Sequence, residues 1–276
     1  MEKSERSGTL DSRIDLGKAK IFAEKLAVLA GRLLLDYSDE IKILKHKDRQ
    51  DIAVNADYES EKLIIQAIEK DYPTHSILSE ERGQIKKKSD YTWLVDPLDG
   101  TKEYVRGLPF YNVALSLQQN GKERVAVIFR PTDRQLFSAL KGGGAFLNGK
   151  RIKVSSATNL LDSFVYSYLP LFKGKENDFE TAWTKLISLS KRVYRLRGAS
   201  DLNFSCCWVA KGACEGLIDL TDPPKPWDIR PGLFIAQEAG GKISDISGGS
   251  LSDNFKNGII VSNGKIHKTL LEVLND

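Results

Sequence analysis

Cysteine and histidine are scarce in this chain, with three of each among 276 residues. Cys206, Cys207 and Cys214 are odd in number and two are adjacent. That argues against a disulfide framework and suits reduced core thiols of a cytoplasmic protein. His46, His75 and His267 are scattered, so no Cys/His metal site is expected. Charge of one sign is also lacking. Forty-one Lys and Arg face 37 acids, a net of +4. That balance is too small and too mixed to argue for a nucleic-acid polymer as partner. Lys86-Lys87-Lys88 reads as a solvated loop. No apolar run approaches bilayer length, so no membrane partner is expected. The polar start, Met1 to Gly8, has no apolar core of the kind a secretory signal needs. No repeat or low-complexity segment is present. What remains is an ordinary soluble composition, 41% hydrophobic and 28% charged. The length suffices for one large domain or two small ones.

Periodicity orders the chain. Leu16 to Asp39 carries Ile21, Leu26, Leu29, Leu33 and Leu34 at helical spacing and predicts a first helix. Asp57 precedes a second helical pattern, with Leu63, Ile64, Ala67 and Ile68, that Tyr72-Pro73 ends. Asp57 is the candidate cap, with Ser60 or Glu61 in the first turns. Strands are predicted over 76–78, 91–95, 111–118, 124–130 and 135–140. Asn120-Gly121 marks a hairpin. The first part, residues 1–155, thus reads as two helices and an antiparallel meander. The second, 156–276, interleaves strands at 163–168, 193–196, 216–219, 242–245 and 259–262 with helices at 178–189, 202–211, 229–239 and 266–274. Gly240-Gly241 is the stop signal after the third of these helices. The pattern implies a sheet with helical cover.

The chemistry gathers at the end of an apolar run, Trp93-Leu94-Val95-Asp96-Pro97-Leu98-Asp99-Gly100-Thr101-Lys102. Pro97 and Gly100 argue that Asp96 and Asp99 sit on a tight turn or helix entrance. Glu80-Glu81 lies upstream and Trp227-Asp228 far downstream. Glu80, Asp96, Asp99, Asp228 and the Leu98 carbonyl are oxygen donors of the kind that hard divalent ions prefer. Gly100 permits close approach of a phosphate, and the Gly100 and Thr101 amides can face it. Two ions in such a site activate a water and stabilise a leaving oxygen. Glu80 or Thr101 would assist that water's deprotonation. Each acid alone also suits a turn, a cap or surface charge, and sequence separation does not show that they converge.

The motifs resemble the inositol monophosphatase-like superfamily of magnesium-dependent, lithium-sensitive phosphatases, across roughly Ile21 to Leu271. The shared order is an aspartate (Asp57), Glu-Glu (Glu80-Glu81), Asp-Pro-Leu-Asp-Gly-Thr (Asp96 to Thr101), Trp-Asp (Trp227-Asp228) and Gly-Gly (Gly240-Gly241). The resemblance implies an α+β fold, a layered α-β-α-β-α sandwich, and a homodimer. It implies two to three Mg2+ ions, with Mn2+ as a substitute. Glu80, Asp96 and the Leu98 carbonyl would hold the first, and Asp96, Asp99 and Asp228 the second. A third, weaker ion would lie near Glu80. Gly100 and Thr101 would bind phosphate, Thr101 with Glu80 would activate water, and Asp57 and Glu81 would support the cluster. One position departs from the pattern: Val54 stands where the family carries threonine.

The substrate signals divide. Thr101-Lys102-Glu103-Tyr104 is similar to the branch acting on 3′-phosphoadenosine 5′-phosphate. Gly107-Leu108-Pro109-Phe110 and Gly142 to Gly149 resemble compact inositol and histidinol phosphatases. Asp219 aligns with an acid that binds ring hydroxyls in inositol phosphatases, and a turn role fits it equally. Gly198, Ala199, Ser200 and Asp201 are expected to line the opposite wall. Inositol 1-phosphate is the representative substrate. A 3′(2′),5′-bisphosphate nucleotidase, a histidinol phosphatase and, lower, a fructose bisphosphatase are the alternatives. A catalytically weakened binding or regulatory protein is the reading from another class.

Overall fold

The computed structural model describes residues 14–46, 52–172, 176–221, 223–253 and 255–276. The polar start, Met1 to Gly8, lies outside them. Helix α1 (Leu16–Asp36) and helix α2 (Asn55–Asp71) flank a small hairpin, β1 (Ile43–His46) and β2 (Ile52–Val54). An eight-stranded sheet follows, from β3 (Ser76–Ser79), β4 (Gly83–Ile85), β5 (Tyr91–Asp99), β6 (Asn112–Gln119), β7 (Lys122–Arg130), β8 (Gln135–Leu140), β9 (Gly144–Leu147) and β10 (Lys150–Ile152). The five-residue helix α3 (Thr101–Val105) sits between β5 and β6. A second, five-stranded sheet has the order β12 (Arg195–Gly198), β11 (Phe164–Tyr168), β13 (Gly216–Asp219), β15 (Ile259–Ser262), β14 (Lys242–Ser244). Its helices are α4 (Glu176–Ser190), α5 (Leu202–Ala210), α6 (Pro226–Glu238) and α7 (His267–Asn275).

The cores define five layers. Helices α1 and α2 pack on one face of the large sheet through Leu26, Ile64, Ile68, Trp93 and Val127. Helices α5 and α6 lie between the sheets, with Phe204, Cys206, Ile229 and Ile235 against Ala126, Phe137 and Leu217. Helices α4 and α7 cover the outer face of the small sheet through Leu189, Leu270 and Val273. This is the α-β-α-β-α arrangement that the resemblance implied. The middle layer draws its core from both 1–155 and 156–276. All three thiols are buried without disulfides, and burial pushes them well above their ordinary range, Cys214 to about 12. Such thiols are core residues rather than nucleophiles.

Several expectations are corrected. The meander is not wholly antiparallel, because β3 runs parallel to β5. The unforeseen edge strand β4 returns the chain past β3, so β5 starts from the same end. The buried stripe of α1 is alanine-rich, with Ala19, Ala23, Ala27 and Ala30, while Ile21 and Leu29 are 52% and 51% exposed. The helix lies too close to the sheet for larger side chains: a Cβ on Gly31 would stand 2.5 Å from the Phe129 ring. Strand β5 passes Val95 and continues to Asp99. Its register against β6 slips by one residue between Asp96 and Asp99, where Pro97 has no N–H to give the ladder. Helix α6 begins three residues earlier than periodicity indicated, with Pro226 in its first turn. The Gly240 stop has φ 95° as a left-handed terminus requires.

Candidate metal-dependent active site

One face of α2 grips three neighbouring segments. Asp57, Ser60 and Glu61 are spaced i, i+3, i+4 and all are buried. Glu61 Oε1 accepts from the Glu81 amide at 3.0 Å, the Arg82 amide at 2.9 Å and the Ser79 hydroxyl. This fixes the turn that carries Glu80, whose own amide donates to Val95 O at 3.2 Å. The Ser60 hydroxyl donates to Pro97 O at 2.9 Å, which holds the bulge. Asp57 Oδ1 lies 3.4 Å from the Thr101 hydroxyl at the start of α3.

Asp57 is not the cap of α2. It is the third helical residue, and its Oδ2 accepts from the Val54 amide at 2.6 Å. Val54 occupies the cap position with no side-chain acceptor, the structural trace of the missing threonine hydroxyl. The Thr101 hydroxyl is shared between Asp57 and Leu98 O, at 3.4 and 3.0 Å.

The bulge of β5 presents the central acids. Asp96 is buried, with Oδ1 accepting from the Leu98 amide at 3.2 Å. Asp99 Oδ2 accepts from the Asn112 and Asn203 side-chain amides, each at 3.2 Å. Gly100 then turns the chain with φ 92°, and a Cβ there would stand 2.4 Å from Phe110 O. Only glycine fits that position. Asp228 enters from the second half as the third residue of α6, its Oδ2 accepting from the Lys225 amide at 3.1 Å.

Electrostatics shows that these acids meet. Burial holds the Asp96 carboxyl well above its ordinary range, and the charges of Glu80, Asp99, Asp228 and Asp57 raise it further. Asp99 is raised by burial, then by Asp201 and Asp228, against the two asparagine amides that favour its charged form. Among the described residues, no three His, Cys, Asp or Glu side chains are already closed around a single ion. The donor set nevertheless fits one. It is all oxygen, it belongs to residues far apart in sequence, and its members repel one another at a buried position that added positive charge would relieve.

The residues expected on the far wall carry hydrogen bonds of their own. Gly198 ends β12 and is exposed, and the Ala199 amide donates to Ser167 O at 2.8 Å. Asp201 is buried and caps α5, taking the Phe204 amide at 2.6 Å, while Ser200 donates to it at 3.3 Å. Burial lifts Asp201 to about 6. Asp219 is also buried, and its Oδ1 takes the Thr221 amide and hydroxyl at 2.9 and 2.7 Å. Both carboxylates therefore serve local turns first. Tyr168 was not anticipated. Its phenol is raised to about 12 by burial and then by Asp99, Asp219, Glu103 and Asp228, so it stands beside the acids. Ser60, Glu61, Asn112 and Asn203 were also missed as site supports. Only the spacing of Ser60 and Glu61 from Asp57 carried a usable signal. A cleft of about 470 Å³ between α4 and α7 contains none of these residues.

The sequence profile of the inositol monophosphatase family matches residues 15–276. This chain belongs to the inositol monophosphatase family. A Thermotoga maritima fructose-1,6-bisphosphatase/inositol-1-monophosphatase is 32% identical over 92% of this chain and 95% of its own length. A Nus factor SuhB of Pasteurella multocida is 34% identical over 74% of this chain and 75% of its own. The crystal structure of the extragenic suppressor protein suhB from Bartonella henselae superposes with a TM-score of 0.87 at 31% identity, covering 94% and 99% of the two chains. Membership supports a phosphatase with metal-dependent chemistry. The relatives' names differ, so membership does not single out one ester. No helix among the described residues is long and apolar enough to cross a membrane.

Proposed function

We propose that this protein is a magnesium-dependent phosphatase of small phosphate monoesters, with inositol 1-phosphate as representative substrate. The observation that carries this reading is the buried Asp96 carboxyl under the charges of Glu80, Asp99, Asp228 and Asp57. Glu80, Asp96 and the Leu98 carbonyl would hold one Mg2+ ion, and Asp96, Asp99 and Asp228 another. A third, weaker ion would lie near Glu80, and Mn2+ is the natural substitute. Bound magnesium would neutralise phosphate charge and acidify a water. Gly100 gives the phosphate access to the backbone at the start of α3. The Thr101 hydroxyl, held against Asp57, orients a water and provides a route for its proton. Glu81 and Glu61 keep the Glu80 turn in place. The ester's alcohol would face Gly198, Ala199, Ser200, Asp219 and Tyr168.

Two observations bear on the alternatives. Tyr104, part of the nucleotide-like motif, is buried and donates to Leu34 O at 2.6 Å, so it is a core contact. Lys102 is exposed. Together they favour the inositol-type reading over a 3′(2′),5′-bisphosphate nucleotidase. The regulatory reading draws support from Val54 and from the SuhB names of several relatives. The decisive experiment is phosphate release from inositol 1-phosphate, 3′-phosphoadenosine 5′-phosphate, histidinol phosphate and fructose 1,6-bisphosphate, with Mg2+ and with EDTA. Mg2+-dependent release, inhibited by millimolar lithium, is expected. No release from any ester by folded, Mg2+-binding protein would sink the enzyme reading. We also expect a cytoplasmic homodimer without membrane or nucleic-acid partners. Sedimentation as a monomer at micromolar concentration would refute the dimer.

A further inference from the structure

Helix α6 contains a proline in its interior as well as at its start, and the position of the interior one matters. The Trp227 carbonyl would normally accept from the amide four residues later. That residue is Pro231, which has no N–H. Asn203 of α5 answers the gap, its Nδ2 donating to Trp227 O at 2.8 Å. The same Nδ2 donates to Asp99 Oδ2 at 3.2 Å. Its two hydrogens allow both contacts at once. Asn203 Oδ1 accepts from the Gly232 amide at 3.0 Å. Asn203 is fully buried. The approach of the helices permits this only because residue 232 lacks a side chain. A Cβ on Gly232 would stand 2.7 Å from Asn203 O and 2.9 Å from its Cα.

We propose that Asn203 is a positioning residue that ties Asp99 to the first turn of α6, and so sets how Asp99 and Asp228 face a shared ion. The inference rests on the two-ion reading above. Asn112 holds the same Asp99 oxygen from β6, within the large sheet. Asn203 is the hydrogen-bonded link from that oxygen to the helix carrying Asp228. A role confined to packing would need only the Trp227 and Gly232 contacts. The bond to Asp99 brings Asn203 into the ion site.

A variant cycle separates the two roles. Asn203→Ser, Pro231→Ala and the double variant are compared in the full chain by thermal midpoint in EDTA and by Mg2+ titration calorimetry. Asn203→Ser should lower the midpoint and weaken Mg2+ binding about 10–100-fold. Pro231→Ala returns an N–H to the Trp227 carbonyl. The double variant should therefore recover much of the midpoint while Mg2+ binding stays weak. If Asn203→Ser alone does not fold, the double variant carries the affinity test. Unchanged Mg2+ affinity in a folded variant lacking Asn203 would overturn the inference. So would affinity that recovers in step with the midpoint. A wild-type protein that binds no Mg2+ would overturn the two-ion reading and this inference with it, a pattern distinct from either.

Discussion

The two halves of the molecule hold their acids in different ways. In the first half, one helix face supplies dedicated supports: Glu61 for the Glu80 turn, Ser60 for the Pro97 bulge, Asp57 for Thr101. In the second half, Asp228 is placed by the start of its own helix, and the helix is placed by packing against α5. Hydrogen bonds from one helix face to distant segments build one side of the site, and helix-to-helix registration builds the other. The first half should therefore tolerate little change on α2, while the second should depend on the Asn203, Pro231 and Gly232 contact. Acids forced together in this way oppose folding until charge is neutralised.

The largest expected effect tests the acids themselves. Asp96→Asn should lower turnover about 10³-fold, the scale of losing one strong electrostatic contact to a transition state. It should also raise the melting temperature of the metal-free protein. The raised Asp96 carboxyl means that the folded state loses stability as pH climbs through its range, and Asn removes that repulsion. A lower metal-free melting temperature would contradict the crowded-acid description. Next is the α2 clamp. Glu61→Ala leaves the Glu81 and Arg82 amides without their acceptor and should cost about 2–4 kcal/mol in urea unfolding. Glu61→Gln should keep the fold and weaken Mg2+ binding about tenfold. If Glu61→Gln leaves Mg2+ affinity untouched, the clamp is structural only.

A smaller effect belongs to the second half, away from the site. His267 bonds Ser244 and Ser262 through its two ring nitrogens at 2.9 and 2.8 Å, and burial lowers it to about 4. The unfolded chain protonates it near 6.5, so stability falls as pH drops from about 6.5 towards 4 and this group adds nothing further below. His267→Gln should flatten that slope by up to about 1.4 kcal/mol per pH unit. An unchanged slope in denaturation curves would remove His267 as its cause. Smallest is Val54→Thr, which supplies the absent cap of α2 and should add about 0.5–1 kcal/mol. A loss of stability would mean that the buried hydroxyl finds no partner.

The sequence by itself determined the family and most of the element order. Acid residue types, the Asp96 to Thr101 turn and the Gly240 stop are local signals, and local signals survive in one dimension. The extension of β5 through a proline bulge was not legible, because strand pairing with β6 sustains it against the local rule. The contact between Asp57 and Thr101 was not legible, because that hydrogen bond joins residues 44 positions apart. Asn203 had no signal, since an asparagine in an apolar helix is unremarkable until Pro231 and Asp99 are brought beside it. Tertiary structure alone decided which acids meet, which ones are spent on turns, and what holds them. Convergence is a property of packing between layers, whereas chemistry is a property of the side chains packed.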